Sequence, residues 1–487
     1  MIARRIAARL AGACLVWGLA APVGAQAPAA EPSTAAEADT GDTTITAALL
    51  SRVERWRYFT PHLVDAGEPD YTFLGSRASL GVRHREGRWD ARATLHYVRI
   101  EPLPSQAIGP GVLGSGGLYQ FHAQGTFSYQ LYVPELALGV DVAPGVTVTV
   151  GRFPYTSGGE APAAASVAAV RPRVEGRLLG AFPWSMYGRA FDGVRLDVTR
   201  PSWRAHAAAM MPTQGGYEES ASIGMHEVKV GGASLAWTGR PSSETQAFAY
   251  GYRDTRRVPV RPDNTRRAAA EADVTVWTAG VSHLAVVPVP SGALDLVLWM
   301  AGQAGQWYEL DHRAWSAAAE FGHRWTRVPG RPWLRAGLLA ASGDDEAGDG
   351  RHGTFFPMLP SVDGQSASTV YAPMNLVDVF AEARVEPHAR LRVSGAVHHL
   401  SLRSAADRWY AGSGATGREG AYFGYSTRAS GGATGLGTIV EGTADLSLSR
   451  HWTVNAYLGH MRGGDIVRHS FSGDRLTFVA ITSVIRF

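Results

Sequence analysis

The chain has 487 residues, 45% of them hydrophobic, with 46 basic and 43 acidic side chains and a formal net charge of +3. No run of 18 or more apolar residues occurs, which excludes a helical membrane protein. The single cysteine excludes a disulfide framework, and no basic nucleic-acid-binding motif is present, so a nucleic-acid partner is not expected.

The N-terminus has the pattern of a secretory signal peptide. Three arginines precede an apolar run from Leu10 to Pro22, and small residues follow up to Ala25. We predict cleavage after Ala25, which removes residues 1–25. Because this segment contains three arginines and no acid, the exported chain is nearly neutral, with 43 residues of each charge. Residues 26–44 are rich in Ala, Pro, Thr and acid, which predicts a disordered periplasmic tail.

From residue 45 onwards, about eighteen short segments alternate apolar and polar residues. Tight connections such as Glu86-Gly87 and Ser449-Arg450 fall between long ones such as 101–127 and 154–188. Short periplasmic turns and long extracellular loops produce this alternation in an outer-membrane β-barrel, whereas a sandwich or propeller scatters its long loops. We therefore predict an all-β, antiparallel, up-and-down transmembrane barrel of about 18 strands over residues 45–487.

Each predicted strand has one apolar face and one polar face. Between residues 87 and 98, Trp89, Leu95 and Tyr97 alternate with charged residues such as Asp90 and Arg92. Successive strand side chains point to opposite faces, and a basic charge on the lipid face costs about 2–4 kcal/mol at the midplane. The charged face is therefore predicted to line a wet lumen.

The last twelve residues, 476–487, predict the closing strand. Val479, Ile481 and Ile485 share the lipid-facing parity with Phe487, while Thr482 and Arg486 share the other. A terminal aromatic residue on the apolar face is typical of a signal read by the barrel-assembly machinery. We expect this strand to pair with the first strand, near residues 50–59.

Several motifs follow one another along the chain. They are VGRFPYTSGGE at 150–160, RLLGAFPWSMYGRAFDGVRLD at 177–197, GDD at 343–345, DRWY at 407–410 and HWTVNAYLGHMRGGDIV at 451–467. In order and spacing they closely resemble the bacterial alginate export porins over residues 49–487. The resemblance implies a single-chain barrel that passes an anionic polysaccharide outward through an arginine-rich constriction. Phe153 departs from the family, which commonly has Gln at this position.

Arginines on the predicted lumen face are candidate substrate contacts, because their planar guanidinium groups suit carboxylates. The resemblance gives three first choices, Arg152, Arg189 and Arg195. The further candidates on the inward parity of neighbouring strands are Arg77, Arg83, Arg85, Arg88 and Arg92, and Arg390 and Arg392 could contribute from the opposite wall. The acids expected to position these arginines are Asp192, Asp197, Glu382, Glu441 and Asp445. For every arginine, bracing of the barrel wall is the alternative role.

The Arg189–Asp192 spacing of three gives these residues opposite parities in a regular strand, which predicts a loop-to-strand boundary there. The acidic residues between Asp344 and Asp349 offer oxygen ligands for calcium but lack the spacing of a twelve-residue calcium loop. No metal site is therefore predicted. If a segment plugs the pore, we expect an extracellular loop, 101–127 or 154–188.

These patterns predict a monomeric outer-membrane channel, without cofactor or catalytic residues, that passes an anionic polysaccharide or its oligomers by diffusion. Its expected partners are the lipid bilayer, the barrel-assembly machinery and periplasmic export proteins. One alternative is a porin that takes up small anionic or sugar nutrients. The other is an outer-membrane enzyme, which would need a protected serine–histidine or paired-carboxylate site.

Overall fold

The computed structural model describes residues 42–487 apart from 63–66, 107–112, 161–162, 220, 241, 269–271, 365 and 415–423. Eighteen long strands in this part of the chain form a closed antiparallel barrel, and three short strands lie in the loops. The predicted fold class is therefore confirmed. None of the described helices is long and apolar enough to cross a bilayer.

The strands, in chain order, have the following bounds. They are β1 (Asp42–Arg57), β2 (Asp70–Glu86), β3 (Trp89–Glu101), β4 (Ser128–Ala143), β5 (Val146–Phe153), β6 (Phe191–Thr199), β7 (Trp203–Pro212), β8 (Val228–Arg240), β9 (Ser243–Asp254), β10 (Val274–Val289), β11 (Gly292–Trp307), β12 (Leu310–Trp325), β13 (Trp333–Ala341), β14 (Arg351–His352), β15 (Leu376–His388), β16 (Leu391–Leu402), β17 (Arg408–Gly412), β18 (Tyr425–Ala429), β19 (Gly435–Ser447), β20 (Trp452–Gly463) and β21 (Arg475–Arg486). Strand β14 pairs parallel with β12, and β17 and β18 form a separate hairpin. The helices are α1 (Gly114–Ala123) and α2 (Asp465–Ser470), with 3₁₀ turns at Arg171–Arg173 and Val362–Gly364.

The first and last strands close the barrel. Ala48 pairs with Arg486 at one end of the seam and Arg57 with Thr477 at the other. The backbone N–H of Phe487 donates to the carbonyl of Ala47 at 2.8 Å, and the reverse bond measures 3.1 Å. The predicted closure is confirmed. However, β1 begins at Asp42, so residues 42–44 lie in a strand rather than in the predicted tail; residues 1–41 lie outside the described part.

The two faces of the strands separate as predicted. Leu80 on β2, Leu95 on β3 and Ile481 on β21 leave 50%, 38% and 52% of their surface exposed on the outer wall. Their sequence neighbours Ser79 and Thr94 are partly buried on the lumen side, and Thr482 is 9% exposed there. An apolar outer wall and a polar inner wall place the barrel in a bilayer with its charges toward the lumen.

The connections between the barrel strands follow the predicted alternation with one exception. All periplasmic turns are short, the longest being 326–332, whereas extracellular loops such as 154–190, 342–375 and 403–434 are long. The exception is the extracellular turn Tyr308-Glu309 between β11 and β12. There Tyr308 adopts a φ of 55°, the left-handed conformation that a two-residue reversal requires.

The outer half of the lumen is filled by inward-folded loops. Tyr119 of α1 meets Tyr187 of loop 154–190 edge-on at 6.0 Å, and its hydroxyl accepts a 2.8 Å hydrogen bond from the Met186 N–H. In α1, Gly116 packs so closely on Phe73 that an added Cβ would lie 3.1 Å from the ring. Both loops that the sequence singled out as candidate plugs therefore enter the barrel, and the periplasmic half keeps its charged side chains exposed.

We expect Leu80→Arg to destabilise the barrel by about 2–4 kcal/mol, because the guanidinium would enter the hydrocarbon. The matched control Ser79→Arg places the same side chain on the wet lumen face and should cost much less. Urea unfolding in lipid vesicles measures both. Equal losses for the two variants would contradict the assignment of faces.

Candidate functional site: the charged lumen

Three exposed arginines form an arginine stripe on the lumen side of β2 and β3, made of Arg83, Arg85 and Arg92. Arg83 and Arg92 face each other directly in the strand register. Their side chains are 53% and 24% exposed, and that of Arg85 is 55% exposed. The stripe therefore presents guanidinium groups to water in the periplasmic half of the lumen.

Carboxylates accompany each arginine of the stripe. Arg83 donates two hydrogen bonds to Asp90, at 2.9 and 2.7 Å. Arg85 donates to Asp141 at 3.1 Å, and Arg92 lies 3.6 Å from Glu135. The Arg85–Asp141 pair is exposed on both sides, at 55% and 39%, and pairs of this kind contribute only about 0–1 kcal/mol, so another carboxylate can exchange with it. The Arg83–Asp90 and Arg92–Glu135 pairs are partly buried on the acid side, at 18% and 20%. All three arginines lie on the lumen-facing parity of β2 and β3.

Arg77 lies on the same lumen face of β2, closer to the inward loops. Its guanidinium donates to the carbonyls of Ser185 and Met186 at 3.4 and 3.2 Å. No described carboxylate lies within salt-bridge distance of it. Together with His96 and Tyr132 it lines a cavity of about 220 Å³. Arg77 therefore has a positive charge that no acidic neighbour offsets.

Arg195 and Asp197 face the lumen from β6, as predicted. The Arg195 Nε donates to Asp197 at 2.9 Å, and the same carboxylate lies 2.8 Å from Nδ1 of His206. The guanidinium carbon of Arg195 stands 5.6 Å from the ring centre of Phe153, the residue that departs from the family pattern. The phenyl ring offers a cation–π contact where Gln would offer hydrogen bonds.

Arg152 and Asp192 lie on the outer wall, so their predicted lumen position is wrong. They pair directly across β5 and β6 through hydrogen bonds of 2.7 and 2.8 Å. Each is two residues from a valine on its own strand that faces outward, Val150 at 46% exposure and Val194 at 43%. Since residues two apart share a face, this ion pair belongs to the outer surface near the extracellular ends of β5 and β6.

Arg189 was predicted to be a substrate contact exposed in the lumen. It is instead buried among the loops. Its guanidinium donates to the carbonyls of Gly180, Leu359 and Ser413, at 3.4, 3.1 and 2.8 Å. Burial lowers the pKa of Arg189 to about 10, which leaves it cationic at neutral pH. It joins three extracellular loops. The predicted loop-to-strand boundary is confirmed, since β6 begins at Phe191.

Arg88 and Arg390 lie in periplasmic turns, so their predicted place on the inner wall is also wrong. Arg88 stands over Trp89 at 5.8 Å, and Arg390 donates to the Leu448 carbonyl at 3.4 Å. Turn residues do not keep the two-residue alternation of the strands they join. Arg392 on β16 does face the lumen, 51% exposed and 3.9 Å from Glu386.

Of the other acids predicted to position arginines, only Glu382 does so. It accepts from Arg384 at 3.1 Å and lies 3.7 Å from Arg173. Glu441 accepts from the hydroxyls of Ser366 and Tyr457, both at 2.7 Å, and Asp445 accepts from Asn455 at 2.8 Å.

A second cationic group, the loop clamp, was not predicted. It is formed by Arg171, Arg173 and Arg177 of loop 154–190. Arg171 binds Glu244 on β9, and Arg173 and Arg177 reach Glu320 on β12 at 2.8 and 3.1 Å. Arg335 on β13 also contacts Glu320, at 2.9 Å, so three guanidinium groups surround one carboxylate that is 2% exposed. The clamp ties the inserted loop to the wall. Its only sequence signal was three closely spaced arginines inside a predicted loop.

The acidic motifs hold extracellular loops together. Asp407 accepts hydrogen bonds from the Thr354 and Tyr410 hydroxyls, both at 2.6 Å, and from the Asp344 N–H at 3.0 Å. Burial raises the pKa of Asp407 to about 6. No described group of three or more His, Cys, Asp or Glu side chains is arranged to hold a metal ion. The GDD and DRWY motifs thus meet in a contact between loops 342–375 and 403–434.

Comparison with known proteins agrees with this architecture. The alginate export family model matches residues 173–476. The outer membrane protein OpdK from Pseudomonas aeruginosa superimposes with a TM-score of 0.53 at 10% identity, covering 91% of this chain and 99% of that one. Pseudomonas aeruginosa OccK2 (OpdF) in complex with glucuronate gives a TM-score of 0.55 at 10% identity, covering 92% and 96%. OccK9 (OpdG) from the same organism gives 0.57 at 10% identity, covering 92% and 99%. No curated protein sequence matches significantly.

We expect Glu320→Gln to loosen loop 154–190, because it leaves the guanidinium groups of Arg173, Arg177 and Arg335 without their shared carboxylate, which is 2% exposed. Breaking a buried ion pair from one side costs about 3–5 kcal/mol. Single-channel recordings should therefore show a larger and noisier conductance. The control Glu101→Gln removes an exposed partner of Arg99 and should leave the conductance unchanged. A recording of Glu320→Gln that matches the unmodified protein would show that the clamp does not hold the loop.

Proposed function

This chain belongs to the alginate export family and is an outer-membrane channel, and from that premise we propose that it passes an alginate-like uronate polymer or its oligomers by passive diffusion. The arginine stripe carries the proposal. Its guanidinium groups lie along one wall, those of Arg83 and Arg85 exposed and that of Arg92 half-buried, and each has a carboxylate neighbour. A uronate chain can replace those partners one at a time as it moves.

Conduction through a pore favours several weak binding sites, as the paired arginines of the stripe provide. A pore must bind its cargo strongly enough to admit it and weakly enough at several sites to release it. Arg83, Arg85 and Arg92 each keep an acidic neighbour, so no position holds a full unopposed charge. Arg77, which lacks such a neighbour, is the strongest single carboxylate site proposed along this wall.

The structural relatives supply a consistent precedent at the level of the fold. OccK2 (OpdF) was crystallised with glucuronate, a uronate monomer. We also propose that the chain acts as a monomer, that the barrel-assembly machinery reads Phe487, and that periplasmic proteins deliver the cargo.

A second candidate is a porin that takes up small anionic or sugar solutes. The loop-filled outer half of the lumen favours it, because cavities of about 220 and 270 Å³ between loops and wall suit single sugar units better than a polymer. The two candidates share the arginine stripe and differ in the length of the preferred cargo.

We expect the double variant Arg83→Gln and Arg92→Gln to lower the anion preference of the pore and to weaken block by uronate oligomers about threefold to tenfold. The reason is the loss of charge-assisted hydrogen bonds, reduced in strength by exposure to water. Reversal potentials in a salt gradient and block in planar bilayers provide the measurement. Arg152→Gln, on the outer wall, is the matched control.

Three results would argue against the proposal. A cation-selective pore would contradict the polyanion cargo. Equal effects of Arg152→Gln and the double variant on anion preference and block would show that the stripe contributes no more than an arginine on the outer wall. Block by monomers that equals block by oligomers would favour the uptake porin.

A further inference from the structure

A polar chamber of about 270 Å³ lies on the lumen side of β15, β16, β19 and β20, away from the arginine stripe. Loop 342–375 and loop 154–190 both contribute to its lining. The side chains that matter for its chemistry are Asp363, Phe380, Glu382, Arg384, His398 and Glu441. We refer to this cavity as the β15–β20 chamber.

Two polar atoms in the lining have no hydrogen-bond partner within the described part of the chain. They are Oδ1 of Asp363, on the 3₁₀ turn of the inward loop, and Nε of Arg384, on the barrel strand β15. Both are withdrawn from solvent, and a buried polar atom without a partner costs about 1–3 kcal/mol. One atom is an acceptor and the other a donor, so a molecule with hydroxyl groups could satisfy both.

The remaining polar side chains of the chamber are fixed by their own contacts. Nδ1 of His398 lies 3.0 Å from both oxygens of Asp378, and the Ser394 and Thr443 hydroxyls are 2.5 Å apart. Glu441 is held by Ser366 and Tyr457 at 2.7 Å. Among the buried side-chain nitrogen and oxygen atoms of the described lining, Oδ1 of Asp363 and Nε of Arg384 are therefore the two that lack a partner.

The charge of the chamber differs from that of the arginine stripe. Arg173 and Arg384 are matched by Glu382, which lies 3.7 and 3.1 Å from them, and Asp363 and Glu441 add further carboxylates. Acids thus outnumber the guanidinium groups, so the chamber does not favour an anion. The ring of Phe380 borders the chamber, stacked on His398 at 5.4 Å and 5.0 Å from the guanidinium carbon of Arg173. A few polar groups around an aromatic ring in a small cavity suit a neutral polyhydroxylated ring.

We propose that the β15–β20 chamber is a saccharide subsite that binds the hydroxyl groups of one neutral pyranose ring between Asp363 and Arg384. The carboxylate of Asp363 accepts from one hydroxyl, and Nε of Arg384 donates to another. The inference rests on the proposed passage of sugars through this channel and adds a second contact region, selective for hydroxyls instead of carboxylates. Since Asp363 belongs to the inward loop, a bound ring would bridge that loop to the wall.

The experiment uses glucose as a neutral probe and measures current noise and block in planar bilayers. We expect weak, saturable block of the unmodified channel. Asp363→Ala should weaken it about tenfold, because the acceptor is lost, whereas Asp363→Asn keeps an acceptor oxygen and should restore most of it. Arg384→Lys retains the charge but loses Nε, so it should also weaken block. Arg313→Lys, on the outer face of β12 with Trp315 and outside the chamber lining, is the matched control.

The outcomes separate this subsite from the proposed function. If glucose does not block the unmodified channel, or if Asp363→Ala and Arg384→Lys leave glucose block unchanged, the subsite is refuted and ordered water satisfies the two atoms. Block by uronate oligomers, measured on the same variants, should persist because it depends on the arginine stripe. Its absence in the unmodified channel would refute the polyanion cargo while leaving the glucose result interpretable.

Discussion

The pairing of every backbone amide across neighbouring strands is the constraint on which the rest of this structure depends. The hydrocarbon interior of a membrane offers no hydrogen-bonding partner, so a sheet must close on itself to cross it. Here β21 closes against β1, with Phe487 and Ala47 at the periplasmic end of the seam. Closure fixes the register of each strand, and the register fixes which side chains face lipid. The wet, charged lumen follows from that geometry.

Within the lumen, burial divides the ion pairs into two kinds with different consequences. The loop clamp around Glu320 is withdrawn from water, so its geometry is rigid and removal of one partner is costly. The arginine stripe is exposed, so its pairs form and break at little cost. Arginine–carboxylate pairs thus hold the inserted loop in place in the outer half of the barrel. In the periplasmic half, the pairs of the arginine stripe remain open to exchange with the proposed cargo.

The sequence predicted the parts of the structure that strict periodicity controls. Alternation gave the barrel, the closing strand and the inward position of Arg83, Arg85, Arg92 and Arg195. Predictions of side-chain position were wrong where the alternation of strand side chains stops. Arg88 and Arg390 lie in turns, and Arg152 was placed by its family motif although its parity with Val150 pointed outward. The clamp arginines and Asp363 were not foreseen because loops have no period from which an inward fold could be read.

The inward loops also explain why so many arginines can line one barrel without making it a trap for anions. Arg171, Arg173 and Arg177 lie close together on the inserted loop, yet wall carboxylates from β9, β12 and β15 already bind them. Cargo that reached them would have to displace buried partners, which is unfavourable. Under the proposed function, the arginine stripe and Arg77 then remain for cargo, and the acidic neighbours of the stripe limit how tightly it is held. The acids that anchor the loop therefore set an upper limit on affinity along the whole path.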